Sequence, residues 1–195
     1  MIDIQTQNRS KDMYLLTLKG DWDLYSNEVW NNNLAELDCT KQTKFLLNLK
    51  DVEYIDSTGM GKQIRLKDIV LEIAFAEMQK SVRLVYLCTS LHNVPFPEFV
   101  NNEKALTYLK TIEAEKGGIQ PESQISAAFA FQKDNDHESA LQVFSVFNRR
   151  NLKLSPAKQA EIWEAMAKSI DICGYDGANS WRRRARNILR ESQEN

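Results

Sequence analysis

The stretch "KFLLNLKDVEYIDSTGMG", Lys44 to Gly61, does most to limit what this chain can fold into. Its first part is a nearly continuous apolar run. A strand with one wet face alternates; a run that does not alternate must be covered on both faces, as in a parallel sheet. The run then stops on an acid, two hydroxyls and a glycine, Asp56-Ser57-Thr58-Gly59, and a long helical pattern follows. These features together describe a buried strand feeding a helix through a polar turn.

The flanking segments continue the alternation. "MYLLTL", Met13 to Leu18, reads as a strand closed by Gly20. "SNEVWNNNLAEL" reads as a helix with Ser26 at its N-cap and Val29, Trp30, Leu34 and Leu37 at helical spacing. After the turn, Met60, Ile64, Leu71, Phe75 and Met78 trace one stripe, which predicts a helix from Thr58 to about Gln79. "VRLVYLC" then reads as a buried strand. "PFPEFV" has two prolines and suits a short edge strand or an extended segment. "NNEKALTYLKTI" reads as a helix capped by Asn102, with Ala105, Leu106, Leu109 and Ile112 facing inward. The order predicts an α/β domain built on a mainly parallel or mixed central sheet flanked by helices.

"EKGGIQPES" breaks the pattern with two glycines and a proline. It places a boundary near Gly117, between an α/β domain over 1–116 and an all-helical domain over 117–195. The latter reads as two helical hairpins. Ser155 caps and Pro156 opens the third helix, which closes at Gly174. Ala140 and Ala178 stand 38 residues apart (178 − 140) in similar surroundings. The "GYDGA" run resembles the turn region of tetratricopeptide repeats. Two hairpins are fewer than the ~3 repeats a stable solenoid needs. The helical domain is therefore expected to pack on the first domain or on a second copy.

Composition excludes several function classes. A length of 195 residues suits one domain and a smaller second unit, and 43% hydrophobic with 27% charged residues suits a globular protein. The net charge of −2 provides no global field toward nucleic acid or anionic membrane. Cys39, Cys88 and Cys173 have neither metal spacing nor the even count of a disulfide framework, and read as small buried apolar groups. His92 and His137 are too far apart in sequence to suggest a metal site or a triad. The glycines form no phosphate-binding loop. Asp21, Asp23 and Asp56 show no pairing as a catalytic dyad. No catalytic, metal or cofactor site is expected, and the chain reads as a non-enzyme. "MIDIQTQNRSKD" lacks the pattern of a leader peptide, and no apolar run approaches the ~18 residues that span a bilayer. These point to the cytoplasm.

Trp163 and Trp181 read as core anchors, and Trp22, at a strand end, as a candidate for exposure at an interface. "WRRRARNILR" reads as the solvated face of a helix or a contact for an acidic protein, in preference to nucleic acid.

Asp56-Ser57-Thr58-Gly59 supports two readings. In one it is a capped strand-to-helix turn, with side-chain oxygens accepting from the orphan amides of the first helical turn and Gly59 and Gly61 allowing close packing. In the other, Ser57 is a regulated hydroxyl at the positive end of a helix dipole. A phosphate is tolerated there, and its charge of roughly −1.5 to −2 expels an acidic or apolar partner.

The segment from about Met13 to Lys110 resembles a STAS domain, the family of anti-sigma factor antagonists. "LKGDWD" resembles the family's L-x-G-E-L-D strand end, with Asp23 in the place of its last acid. "KFLLNLKDVEYIDSTGMG" resembles the strand and turn that carry its I-D-S-S-G-L-G run, "VRLVYL" its next core strand and "EKALTYL" its terminal helix. The resemblance implies a non-enzymatic regulator that works by partner switching. A serine kinase that is also an anti-sigma factor binds the unphosphorylated form, phosphorylation releases it, and a phosphatase restores binding. The implied phosphoacceptor is Ser57, with Thr58 second. The implied partner surface is Asp23, Asp56, Ser57, Thr58, Gly59 and Met60. Two departures are expected. The segment between Gly61 and "VRLVYL" is longer than in the family by about two helical turns, at ~1.5 Å per residue, and that between "YLC" and "EKAL" is too short for a helix. The helical domain adds a second protein contact or a homodimer surface. Two other functions are a constitutive adapter whose helical domain carries binding, and a small-ligand sensor.

Overall fold

The computed structural model describes residues 2–88, 96–115, 118–149 and 154–194. The chain divides into two compact units, Met1–Gln120 and Pro121–Asn195. Gly117, where the composition breaks, lies outside the described residues, as does His92.

The first unit is built on a five-stranded mixed sheet in the order β1-β2-β3-β4-β5. β1 (Asp3–Ser10) pairs antiparallel with β2 (Met13–Trp22), and β2, β3 (Lys44–Ile55), β4 (Glu72–Ala76) and β5 (Glu98–Phe99) pair in parallel. α1 (Asn27–Ala35) connects β2 to β3, α2 (Ser57–Ile69) connects β3 to β4, and α3 (Lys80–Cys88) follows β4. α4 (Asn102–Thr111) follows β5 and lies against β3 and β4. A small hairpin, β6 (Ala114–Glu115) and β7 (Gly118–Ile119), ends the unit.

The sheet is covered on both sides, as the apolar run demanded. Tyr14, Leu16, Leu18, Phe45, Leu47, Leu49, Ile73 and Phe75 share one core with Trp30 of α1, Met60 and Leu66 of α2 and Val82 of α3. The intervening Leu15, Leu46 and Ala74 are buried as well. The α/β class expected from the sequence is therefore observed.

Two elements differ from expectation. The helix expected from Thr58 to about Gln79 stops at Ile69, and Glu72–Ala76 is a core strand, every residue of it buried. "VRLVYL", expected to be a strand, belongs to α3, where Val82 is buried while Arg83 and Leu84 are exposed. The physical reason is a coincidence of spacing. Met60, Ile64, Leu71, Phe75 and Met78 fit a helical stripe, and no glycine or proline marks the break after Ile69. Two further expectations fall with this correction. α2 is not extended, and a helix does stand between β4 and β5. β1 is a strand in a stretch the sequence left unassigned. The α4 cap is Asn101, one residue earlier than expected, its side chain accepting from Lys104 N at 3.0 Å.

The second unit comprises α5 (Pro121–Lys133), α6 (His137–Arg149), α7 (Pro156–Ile172) and α8 (Ala178–Glu194). Ser155 Oγ accepts from Lys158 N at 3.3 Å, and Gly174, at φ +71°, follows α7 in a conformation that favours glycine. Small residues sit where helices meet, with Ala140 and Ala167 fully buried and Ala178 nearly so. Gln132 Nε2 donates to Ala165 O at 2.7 Å and Ser169 Oγ at 2.6 Å, tying the first hairpin to α7. Trp163 and Trp181, expected as core anchors, are half-buried and stand 6.4 Å apart.

Candidate functional site

β3 ends at Ile55, and Asp56 leaves it in extended conformation, φ −107° and ψ −179°. Its backbone N–H donates to Trp22 O at 3.3 Å, so the turn is held against the end of β2. Asp56 Oδ1 accepts from Thr58 N at 2.8 Å and Gly59 N at 2.9 Å. Those are two of the orphan amides of α2, and the carboxylate also complements the positive end of that helix. Its other oxygen, Oδ2, accepts from Leu24 N at 3.3 Å. One carboxylate therefore fastens the start of α2 to the turn after β2.

That turn has a cap of its own. Leu24–Ser26 form a single 3-10 turn, and Asp23 Oδ1 accepts from Ser26 N at 3.1 Å. The Ser26 hydroxyl accepts from Asp23 N at 3.3 Å and donates to Asp21 O at 2.7 Å. Ser26 is thus the far member of a capping box. It makes no side-chain cap for α1, contrary to expectation. Asp23 and Asp56 are both engaged in backbone hydrogen bonds, so the two acids build the surface and hold it.

The expected site residues separate by exposure. Ser57, the first residue of α2, is exposed, Thr58 is half-buried, and Gly59 is buried. Met60 is 1% exposed and belongs to the core, so its side chain offers nothing to a partner at this surface. Gly59 packs so tightly that a methyl group would lie 2.3 Å from Trp22 O. Gly61 faces open space, so only one of the two glycines is needed for close packing. Trp22, expected at an interface, is 1% exposed and packs on Trp30 with ring centroids 4.7 Å apart.

Three exposed apolar residues lie on the segments joined at this turn, and the sequence reading missed them. Leu24 is 56% exposed and Tyr25 79%, both on the turn that Asp56 holds, while Tyr54, two residues before Asp56, is 53% exposed. The signal was available in "DWDLYS", where two apolar residues sit between the two members of a capping box with no helix to hide them.

The Ser57 hydroxyl is exposed, and the Asp56 carboxylate beside it in sequence is committed to three amides. Among the described residues no cluster of three His, Cys, Asp or Glu side chains could hold a metal, and no helix is long and apolar enough to cross a membrane. Cys39 and Cys173, expected to be buried, are half-buried thiols, and the side chain of Cys88 lies outside the described residues. Burial raises the Cys39 thiol above its ordinary value, aided by Asp38.

No protein-family model matches the sequence, and no curated protein does. Solved structures do. An anti-sigma factor antagonist from Mycobacterium paratuberculosis is 15% identical over 56% of this chain and 95% of its own, with a TM-score of 0.48. The anti-sigma factor antagonist SpoIIAA in its unphosphorylated form is 16% identical over 57% of this chain and 100% of its own, TM-score 0.45. An uncharacterized protein with a SpoIIAA-like fold from Shewanella loihica is 16% identical over 55% and 93%, TM-score 0.36.

Proposed function

We propose that this chain is a partner-switching regulator whose α/β unit binds another protein through the surface around Ser57 and releases it when Ser57 is phosphorylated. The observation that carries this reading is the division of labour within the turn. Asp56 does the capping, which leaves the Ser57 hydroxyl exposed at the start of a 13-residue helix. A phosphate there meets the positive end of the helix dipole, so modification leaves the fold in place. Its charge falls at a turn whose adjoining segments carry the exposed Leu24, Tyr25 and Tyr54, apolar residues available for a partner to cover. A partner presenting apolar or acidic groups is then expelled by desolvation and like-charge repulsion.

By its resemblance to anti-sigma factor antagonists, the partner is a serine kinase that also acts as an anti-sigma factor, and a phosphatase resets the switch. Thr58 is the poorer acceptor because it is half-buried. Mapping phosphate by mass spectrometry on chain exposed to such a kinase and ATP tests the reading. Label on Ser57 that is lost in Ser57→Ala and kept in Thr58→Ala is expected. Label that survives Ser57→Ala and disappears in Thr58→Ala overturns the assignment.

A further inference from the structure

Basic and acidic residues nearly balance in the helical part of the chain, with 11 Lys and Arg against 10 Asp and Glu from Gly117 onward. The balance fails on α8, which carries five arginines against two glutamates. Two of the five are committed. Arg182 pairs with Asp171, and Arg184 lies over the Trp181 ring, 4.8 Å from its centroid. The other three, Arg183, Arg186 and Arg190, are exposed. Among the described residues none of them forms an ion pair.

Helical spacing puts these three on one stripe. At ~100° per residue they fall within about 60° of one another, well away from buried Ala178 and Ala185. Asn179 and Asn187 are exposed beside them. The exposed face of an amphipathic helix needs only polar side chains, and mixed charge meets that need. A stripe of guanidinium groups without an acid between them adds mutual repulsion that a solvated face does not require.

We propose that Arg183, Arg186 and Arg190 form a docking surface for an acidic helix of a partner protein. The guanidiniums rise along α8 by about 4.5 Å and then about 6 Å, at ~1.5 Å per residue. Carboxylates at i, i+3 and i+7 of a second helix rise by the same steps, so all three can be met at once by forked Arg–carboxylate pairs. Charge complementarity alone also suits phosphates, but the rest of the surface does not. The helical unit is nearly neutral, so it has no field to steer a nucleic acid. Three arginines neutralise only about three phosphates, and the stripe has no aromatic side chain for base stacking. The inference is independent of Ser57.

The test uses the full chain at low ionic strength and fluorescence anisotropy with three labelled probes. One is an alanine-based helical peptide with glutamates at i, i+3 and i+7. The second is its isomer with the same residues spread around the helix, and the third is a short DNA duplex. The registered peptide is expected to bind at least about fivefold tighter than its isomer and to lose about tenfold or more in the chain carrying R183E, R186E and R190E. Replacing the same three by lysine is expected to give an intermediate loss, since the forked geometry goes while the charge stays. R184Q, at the arginine over Trp181, is the control: it leaves the stripe intact and should lose no more than about twofold. Equal affinity for the two peptides, unchanged binding in the triple variant, or tighter binding of the duplex overturns the proposal. Matching circular dichroism of parent and variants shows that any loss is not unfolding.

Discussion

At Gly59 the fold leaves no room for a methyl group. A Cβ there would lie 2.3 Å from Trp22 O and 3.1 Å from Ile55 Cγ1, and the nearer atom is backbone that cannot swing aside. Gly59→Ala is expected to cost about 2–3 kcal/mol. Gly61 is in the same helix with nothing within 4 Å of its would-be Cβ, so Gly61→Ala is expected to stabilise by about 0.5–1 kcal/mol. Urea denaturation of the two variants should shift the midpoint in opposite directions. Asp56 can be tested in the same way. Asp56→Ala removes an acceptor for three amides and should cost about 1–2 kcal/mol, while Asp56→Asn, an equally good cap, should keep most of that. The cap was legible in the sequence because capping chemistry is local, reaching two and three residues ahead. The link from Asp56 to Leu24 spans 32 residues, and no local pattern announces it. The burial of Trp22 was equally hidden, since it depends on Trp30 arriving from α1.

Glu72 shows why the element after the turn was misread. It sits inside "LEIAFA" and counts as the wet position of a helix, yet it is fully buried in β4. Its Oε2 accepts from the Tyr108 hydroxyl of α4 at 2.7 Å, and its Oε1 from Ile73 N at 2.9 Å. A tertiary partner 36 positions away makes the acid compatible with a core strand, and propensity cannot see it. Without that partner in view, "EIAFA" joins the helical stripe and the following amphipathic segment is left to be the strand. β3 escaped this ambiguity because its long, β-rich apolar run has no helical alternative. Tyr108→Phe tests the link between α4 and β4. The ring still packs on Phe99, with centroids 5.4 Å apart in the parent chain, so the variant loses the hydroxyl and little packing. It should lower stability by about 1–3 kcal/mol, because a buried carboxylate loses a donor. A thermal melt that matches the parent's would mean that the carboxylate is satisfied without Tyr108.

Across the whole molecule, two units of different construction are joined near Gln120, each with its own core. The α/β unit places the Ser57 surface at the carboxyl end of β3, where a buried strand hands over to a helix and the polar turn must face outward. The proposed switch requires that a charge at Ser57 change binding and leave folding alone. Ser57→Asp introduces about one charge where phosphate adds roughly 1.5 to 2, so its effect is a lower bound on the switch. It should weaken association with the proposed kinase or effector by about tenfold, equivalent to ~1.4 kcal/mol. The loss should shrink as salt is added, because the surface is exposed and screened. Ser57→Ala should bind as the parent does, and neither variant should lower the melting temperature by more than about a degree, since Asp56 supplies the cap and a charge at Ser57 meets the positive end of the helix. Isothermal titration calorimetry paired with thermal melts separates the outcomes. Weaker binding with an unchanged melt is charge expulsion. Weaker binding with a lowered melt is damage to the turn. Undiminished binding of Ser57→Asp removes the charge switch and leaves Leu24, Tyr25 and Tyr54 as a constitutive docking surface.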